Sequence, residues 1–381
     1  MDVNNLTDFF KLSAQLNLQL SATAVGRSNI LAIILGRRQR GSPVNPEVLL
    51  KALEYLDDAY GERRRRVGPL AVLHPLRAAA LLAQVLDRPT TLDILTELLH
   101  DKLEDITELT LGRERFMVIE ERFQALLKAI DPTDEWYLME RLEWLTRRPD
   151  EGYYRYVGRL LKHVGRAPSL VAVKLADRLD NTLDMRIAVE DPIEGVDFFE
   201  LIFQLLYVNN FTGYEPDLAH PPASPLRGAH RLYELYKNAV LLSLIRKQGI
   251  DLGAPGAETL FDDLAIASMK EAERTALHIF GYHLTDVSTQ RELLMEVMDY
   301  VQAGGADRVT RPNGASQLDG LLATHFDNTS LAERAQRLDE LNQDKSMVIE
   351  ASVAFIVVFQ SFLQDRSYWL EGVSEEGILP E

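Results

Sequence analysis

The stretch from Thr91 to Asp105 constrains this chain most, because an apolar helical pattern ends there in a dense polar group. Threonines at positions 90 and 91 precede apolar residues at helical spacing, which is typical of a helix start. The polar group consists of His100, Asp101, Glu104 and Asp105. If the helix continues beyond His100, residues four apart share a neighbouring face. Carboxylates this close repel one another, and a divalent metal ion is the simplest cation to stabilise them.

A second stretch, from Pro168 to Asn181, is an apolar helical sequence that suddenly becomes polar. It carries Lys174, Asp177, Asp180 and Asn181, spaced three or four apart, so that they lie along one side of a helix. Polar groups on a buried helix need partners. Two interpretations remain open: salt bridges to nearby arginines, or a row of side chains that faces a functional site.

Four consecutive arginines, residues 63–66, stand out in a chain whose formal net charge is -17. A charge run most often marks a solvated surface. Arginine side chains also bind phosphate oxygens in a fork and stack on nucleotide bases, so an anion-binding loop is the alternative. The acidic balance of the whole chain disfavours nucleic acid as a partner.

Composition sets the broad class. The 381 residues are 46% hydrophobic and include no cysteine, so a sizeable core can form and thiolate chemistry is excluded. No signal peptide is recognisable, and the apolar runs are too short to span a bilayer, so we expect a cytoplasmic protein without a membrane partner. Strand signals are weak throughout, which favours an all-α fold. We expect a helical extension over residues 1–44, a domain over 45–200, a linker over 201–228 and a second helical region over 229–381. Asn45 before Pro46 predicts the first helix start of the domain.

Three blocks in order resemble the HD-domain metal-dependent phosphohydrolases, most closely the RelA/SpoT-type (p)ppGpp hydrolases of the stringent response. Residues 65–75 resemble the pattern R-K-S-G-x-P-Y-x-x-H-P. Residues 97–106 resemble A-L-L-H-D-x-x-E-D-T, and residues 173–181 resemble I-K-L-A-D-R-L-H-N. The blocks fall within residues 45–195, about the size of a stand-alone hydrolase domain. The resemblance implies an HD-domain helical bundle with an additional C-terminal helical region.

The resemblance also implies a role for each matching position. One divalent ion, manganese in this branch, would be held by His74, His100, Asp101 and Asp177. Glu104 and Asp105 would orient or deprotonate the attacking water. The nucleotide would be contacted by Arg65, Arg66, Lys174 and Asn181, with Asn181 at the ribose. The implied reaction removes the 3′-pyrophosphate of (p)ppGpp by metal-activated water.

Four departures from the pattern bear on the nucleotide pocket. Leu70 and Ala71 replace a proline and a tyrosine, Ile106 replaces a threonine, and Asp180 replaces a histidine. The first three changes could reshape the nucleotide pocket, and the fourth adds an acid near it. One alternative is therefore an HD hydrolase of another nucleotide: a deoxynucleoside triphosphate, a dinucleoside polyphosphate or the 2′-phosphate of NADPH. A second is a non-catalytic nucleotide-binding scaffold.

The part of the chain beyond residue 200 matches no pattern that would assign it a role. Nothing there resembles the synthetase domain of the family, so synthesis is not predicted. Its apolar helices could form a homo-oligomer interface or cover the active site.

Overall fold

The computed structural model describes residues 6–21, 26–36, 43–65, 68–148, 151–185, 228–250, 256–303, 343–364, 373–374 and 377–378, together with a few single or paired positions between them. Within these residues the secondary structure is almost entirely helical. The helices are α1 Leu6–Leu20, α2 Gly26–Leu35, α3 Pro46–Tyr60, α4 Leu73–Val85, α5 Thr91–Leu98, α6 Lys102–Asp105, α7 Glu108–Leu111, α8 Arg113–Leu127, α9 Pro132–Leu145, α10 Tyr153–Lys162, α11 Ser169–Leu183, α12 Gly228–Lys247, α13 Ala257–His283, α14 Val287–Gln302 and α15 Lys345–Gln364. Two short antiparallel strands, β1 Val373–Ser374 and β2 Gly377–Ile378, complete the described elements. The predicted all-α fold is confirmed.

The chain divides into two compact units. Unit 1 comprises Met1–Pro149, Arg159–Asp184 and Ile250–Ala267, and unit 2 comprises Asp150–Gly158, Met185–Gly249 and Ser268–Glu381. The predicted boundaries near residues 44, 200 and 228 remain predictions. The predicted linker lies outside the described residues, except for Gly228.

Unit 1 is built around α4. This helix packs against α1, α2, α5 and α11, and its residues 73 to 83 are all buried. A helix that is apolar on every side is stable only when other helices surround it. Each large apolar side chain removed from water here stabilises the fold by about 1.5–3 kcal/mol. The α4–α11 contact brings the third sequence block toward the first, and the α4–α5 contact does the same for the second block.

Caps fix where the helices of unit 1 begin. The side-chain oxygen of Asn45 accepts hydrogen bonds from the backbone amides of Glu47 and Val48, at 3.1 and 3.4 Å, which starts α3. Thr90 and Asp93 form a capping box at the start of α5. The backbone amide of Asn45 also donates to Thr91 Oγ1 at 2.7 Å, so the starts of α3 and α5 are joined. The helix starts predicted at Asn45 and Thr90 are confirmed.

Unit 2 contains a buried polar layer. Arg231, which is 1% exposed, donates to Glu271 at 3.0 Å from its Nε, and Glu271 is fully buried. Asn238 donates to the hydroxyl of Ser268 at 2.9 Å. Helix α15 packs against α12 and α14. None of the helices that the structure describes is long and apolar enough to cross a membrane.

Candidate metal centre

Helix α5 ends at Leu98, so the condition that the helix continues beyond His100 is not met. Leu99 has φ −110° and ψ 4°, outside the helical region, and α6 begins only at Lys102. The cause is local: His100 Nδ1 lies 2.7 Å from the carbonyl oxygen of Glu97 and makes the hydrogen bond that a helical amide would otherwise make. The turn between the two helices carries His100 and Asp101.

Four side chains from three parts of unit 1 converge beside this turn. They belong to His74 near the start of α4, to His100 and Asp101 in the turn, and to Asp177 in α11. The Nε2 atoms of His74 and His100 lie 3.1 Å apart. Asp101 oxygens lie 3.3 and 3.2 Å from these two nitrogens, and Asp177 Oδ1 lies 3.4 and 3.6 Å from them. The structure therefore brings together all four predicted ligand positions.

These separations fit one shared cation. Donors bound at about 2.1 Å to a single ion, at angles of about 90–110°, lie roughly 3.0–3.4 Å from each other. If both imidazoles were protonated at Nε2, the two N–H groups would meet head to head 3.1 Å apart. A bound metal ion would remove that conflict and neutralise the carboxylates. His74, His100 and Asp101 form a group that could hold a metal ion. Asp177 lies outside that group, but its Oδ1 is 3.4 and 3.6 Å from the Nε2 atoms of the two histidines.

The Nδ1 atom of each histidine also has a hydrogen-bond partner, as is usual for metal-bound histidines. His74 Nδ1 lies 2.6 Å from Asp180 Oδ2, and His100 Nδ1 lies 2.7 Å from the carbonyl oxygen of Glu97. A hydrogen on Nδ1 leaves the Nε2 lone pair free to face the cluster. His74, His100 and Asp177 are buried, whereas the side chain of Asp101 is 30% exposed, so solvent reaches the cluster beside Asp101.

Burial and hydrogen bonds within the cluster shift the pKa values of its members. Burial lowers the pKa of His74, but hydrogen bonds to three carboxylates outweigh it and raise the pKa to about 10. The pKa of His100 is likewise raised well above its usual value, since Asp101 outweighs burial. Burial opposes ionisation of Asp177, but Lys174 and the two histidines hold its pKa well below its usual range. Both shifts arise from the attraction between imidazole and carboxylate, and a metal ion at Nε2 would compete with protons for those nitrogens.

The two acids proposed for catalysis have different surroundings. Glu104 Oε1 accepts a hydrogen bond from the backbone amide of Arg147 at 2.7 Å. Burial and the nearby carboxylate of Asp101 raise the pKa of Glu104, although Lys174 opposes the shift. Asp105 Oδ2 accepts from Arg63 at 2.7 Å and from the hydroxyl of Tyr60 at 3.0 Å.

The arginine loop folds back on unit 1. The backbone amide of Arg65 donates to Pro69, and that of Gly68 donates to Arg65, both at 2.9 Å. Gly68 has φ 101°, a conformation that favours glycine. The Arg65 side chain donates to Asn181 Oδ1 at 2.5 Å and to Asp184 Oδ2 at 3.4 Å. All three described members of the run donate side-chain hydrogen bonds within the chain: Arg65 as above, Arg63 to Asp105, and Arg64 to the carbonyl oxygen of Gly68 at 2.9 Å.

The remaining predicted substrate residues divide into two groups. Lys174 donates to Asp177 Oδ2 at 2.7 Å, and Asn181 donates to Asp177 Oδ1 at 2.6 Å, so both lie beside the cluster. Arg66 lies outside the described residues. Their predicted contacts with a nucleotide remain predictions.

Sequence reasoning assigned no role to two buried residues around the cluster, Arg77 and Glu97. Arg77 donates to Asp180 and Asp184, and a lone arginine in the apolar stretch of α4 was the signal for it. Glu97 is fully buried beside His100, and burial raises its pKa to about 8. The acid at 180, which we expected near the nucleotide, bonds to Nδ1 of His74.

A curated protein shares part of this sequence. Over 151 residues the chain is 28% identical to a guanosine-3′,5′-bis(diphosphate) 3′-pyrophosphohydrolase of Aquifex aeolicus (strain VF5). The match covers 39% of this chain and 19% of that protein, so the chain matches about a fifth of the relative's length. No family model and no solved structure matches the chain. The match supports a distant relationship to that hydrolase.

Proposed function

We propose that this protein is an HD-type metal-dependent phosphohydrolase that removes the 3′-pyrophosphate of (p)ppGpp. The observation that carries the proposal is that the Nε2 atoms of His74 and His100 lie 3.1 Å apart, with carboxylate oxygens of Asp101 and Asp177 3.2–3.6 Å from them. These residues are far apart in the sequence, and they occur along the chain in the order of the pattern that they resemble. The named activity of the Aquifex aeolicus relative supports the same reaction class.

In this proposal His74, His100, Asp101 and Asp177 hold one divalent ion. Imidazole and carboxylate ligands suit manganese, iron or zinc, and we propose manganese because of the resemblance. When bound, the ion supplies positive charge to a phosphoryl oxygen and lowers the pKa of a water molecule.

Two acidic side chains, Glu104 and Asp105, have the remaining catalytic roles in this proposal. Glu104 accepts the proton of the attacking water, since burial and the carboxylate of Asp101 raise its pKa. Asp105 is held by Arg63 and Tyr60 and orients the water or the substrate. A proton acceptor with a raised pKa takes up a proton more readily near neutral pH.

Basic and amide side chains would bind the nucleotide. Arg65 and Arg66 contact the base and phosphates, and Lys174 and Asn181 contact the phosphate and ribose. Because Arg65 bonds to Asn181 and Asp184 in the free protein, nucleotide binding must exchange those bonds for bonds to substrate. The cost of that exchange is small when both sets are charge-assisted.

The alternative is an HD hydrolase of a different nucleotide. The positions that depart from the family pattern include Ala71 and Ile106, which are 7% and 2% exposed and belong to the apolar core of unit 1. At position 71 a small buried side chain replaces a tyrosine that could bond to substrate. Because these changes could alter which nucleotide binds, several nucleotides should be tested. A non-catalytic nucleotide-binding scaffold is the further alternative.

Turnover of ppGpp by the purified full-length chain with Mn²⁺ tests the proposal. A panel should also contain a deoxynucleoside triphosphate, a dinucleoside polyphosphate and NADPH. We expect release of pyrophosphate and GDP from ppGpp, lost in Asp101→Ala and retained in Asp87→Ala, which removes an exposed acid from the turn after α4. Turnover of another panel member alone would mean that this nucleotide, and not ppGpp, is the substrate. No turnover of any panel member, with metal bound, would favour the non-catalytic scaffold.

A further inference from the structure

The side of His74 that faces away from the cluster is held by a buried ionic network. His74 Nδ1 lies 2.6 Å from Asp180 Oδ2, and Asp180 is fully buried. Arg77 bonds to both oxygens of the same carboxylate, through Nε at 2.7 Å and Nη2 at 3.0 Å. Its Nη2 also donates to Asp184 Oδ2 at 2.9 Å. All of these contacts lie within unit 1.

The network is well shielded from water. Arg77 is 1% exposed, and its guanidinium lies 4.8 Å from the centre of the Phe9 ring. Its Nη1 also lies 3.5 Å from the hydroxyl of Ser13. Phe9 and Ser13 both belong to α1, so the N-terminal helix covers the arginine. In a buried setting a carboxylate remains charged only if a partner such as this guanidinium stabilises it.

We propose that Asp180, kept ionised and oriented by Arg77, is a positioning residue that fixes the ring of His74 for metal binding. The proposal rests on the proposed function insofar as His74 must be a ligand. A charged acceptor at Nδ1 holds the hydrogen there, directs the Nε2 lone pair at the cluster and makes that nitrogen a stronger donor to the metal. His100 has a neutral carbonyl in the equivalent place. The two ligands are therefore supported unequally.

The pairing of Asp180 with His74 is not part of the pattern that the third block resembles. The pattern that the third block resembles has histidine where Asp180 stands, and histidine could not provide an anionic acceptor for Nδ1. Arg77 lies on a different helix, α4, and supplies the counter-charge that the acid needs. Asp180 and Arg77 thus complement each other across the α4–α11 contact.

Mn²⁺ binding to the full-length protein, measured from the electron paramagnetic resonance of free Mn²⁺, tests the proposal. We expect Asp180→Asn to raise the dissociation constant about 10–100-fold, as for other residues that support a metal ligand. Asp184→Asn is the matched control, since it also removes a buried carboxylate from Arg77 while the His74 bond stays intact. We expect the control to change the constant by less than about threefold, and circular dichroism should show that both variants are folded.

A second readout separates positioning from structural damage. If Asp180 acts through His74, excess Mn²⁺ should restore the turnover of Asp180→Asn to near the wild-type value, because only metal affinity has been lost. Equal Mn²⁺ affinity in Asp180→Asn and wild type would overturn the inference while leaving the metal centre intact. Equal losses in the two variants would also overturn it. If wild-type protein binds no Mn²⁺, the proposed manganese site itself fails, and the inference fails with it.

Discussion

Replacing Arg77 with methionine should destabilise unit 1 strongly. The guanidinium is 1% exposed and makes three hydrogen bonds of 2.7–3.0 Å to the carboxylates of Asp180 and Asp184. Removing one partner of a buried ion pair costs about 3–5 kcal/mol, because the other charge is left without compensation. Arg65 Nη1 lies 3.5 and 3.4 Å from the same two acids and compensates in part. We therefore expect a loss of about 3 kcal/mol in the free energy of unfolding.

Urea unfolding followed by tryptophan fluorescence measures this loss. Two of the three tryptophans, Trp136 and Trp144, belong to unit 1, so the signal reports mainly on that unit. Arg113→Met, an exposed arginine at the start of α8, is the control and should change the free energy by less than about 0.5 kcal/mol. Adding Asp180→Asn to Arg77→Met should recover part of the loss, because it removes an uncompensated charge.

Two results would refute this reasoning. A loss below about 1 kcal/mol for Arg77→Met is the value expected of an exposed ion pair, and it would mean that the network is open to water. A further loss on adding Asp180→Asn would mean that the two side chains stabilise unit 1 independently.

Three further changes test other parts of the account. Glu104→Gln should lower turnover about 10²–10⁴-fold and leave Mn²⁺ affinity unchanged, as measured by steady-state kinetics and metal titration, because the side chain acts on the proton and not on the ion. Arg63→Ala should lower turnover while preserving Mn²⁺ binding, since it frees Asp105; weakened binding would contradict the assigned role. Thr90→Ala should reduce the free energy of urea unfolding by about 1 kcal/mol through loss of the α5 cap, and no change would show that the cap is dispensable.

Local signals in the sequence located the elements that carry the site. Asn45 before a proline and Thr90 before an apolar run predicted helix starts that the structure confirms, since caps depend on residues close in sequence. The spacing of polar residues in the stretch ending at Asn181 predicted one helix, and α11 is that helix. The break at Leu99 was not predicted, because it depends on a side-chain bond that propensity does not encode.

Contacts between distant residues were only partly predictable. The prediction that His74, His100 and Asp177 converge was based on the order of the motifs. Hydrophobic periodicity does not show which helices contact one another. The partner of Asp180 could not be predicted, because Arg77 lies 103 positions away and a lone arginine on an apolar helix has many ways to find a partner. Arg65 was assigned to substrate, and its bond to Asn181 in the free protein depends on how the loop folds.

The most direct test of the central claim is the position of a bound ion. A crystal of the full-length protein grown with Mn²⁺, with diffraction recorded at a wavelength where manganese scatters anomalously, locates that ion. We predict one strong anomalous peak within about 2.0–2.3 Å of Nε2 of His74, Nε2 of His100 and the carboxylates of Asp101 and Asp177. A peak elsewhere, or none here at saturating Mn²⁺, would contradict the account.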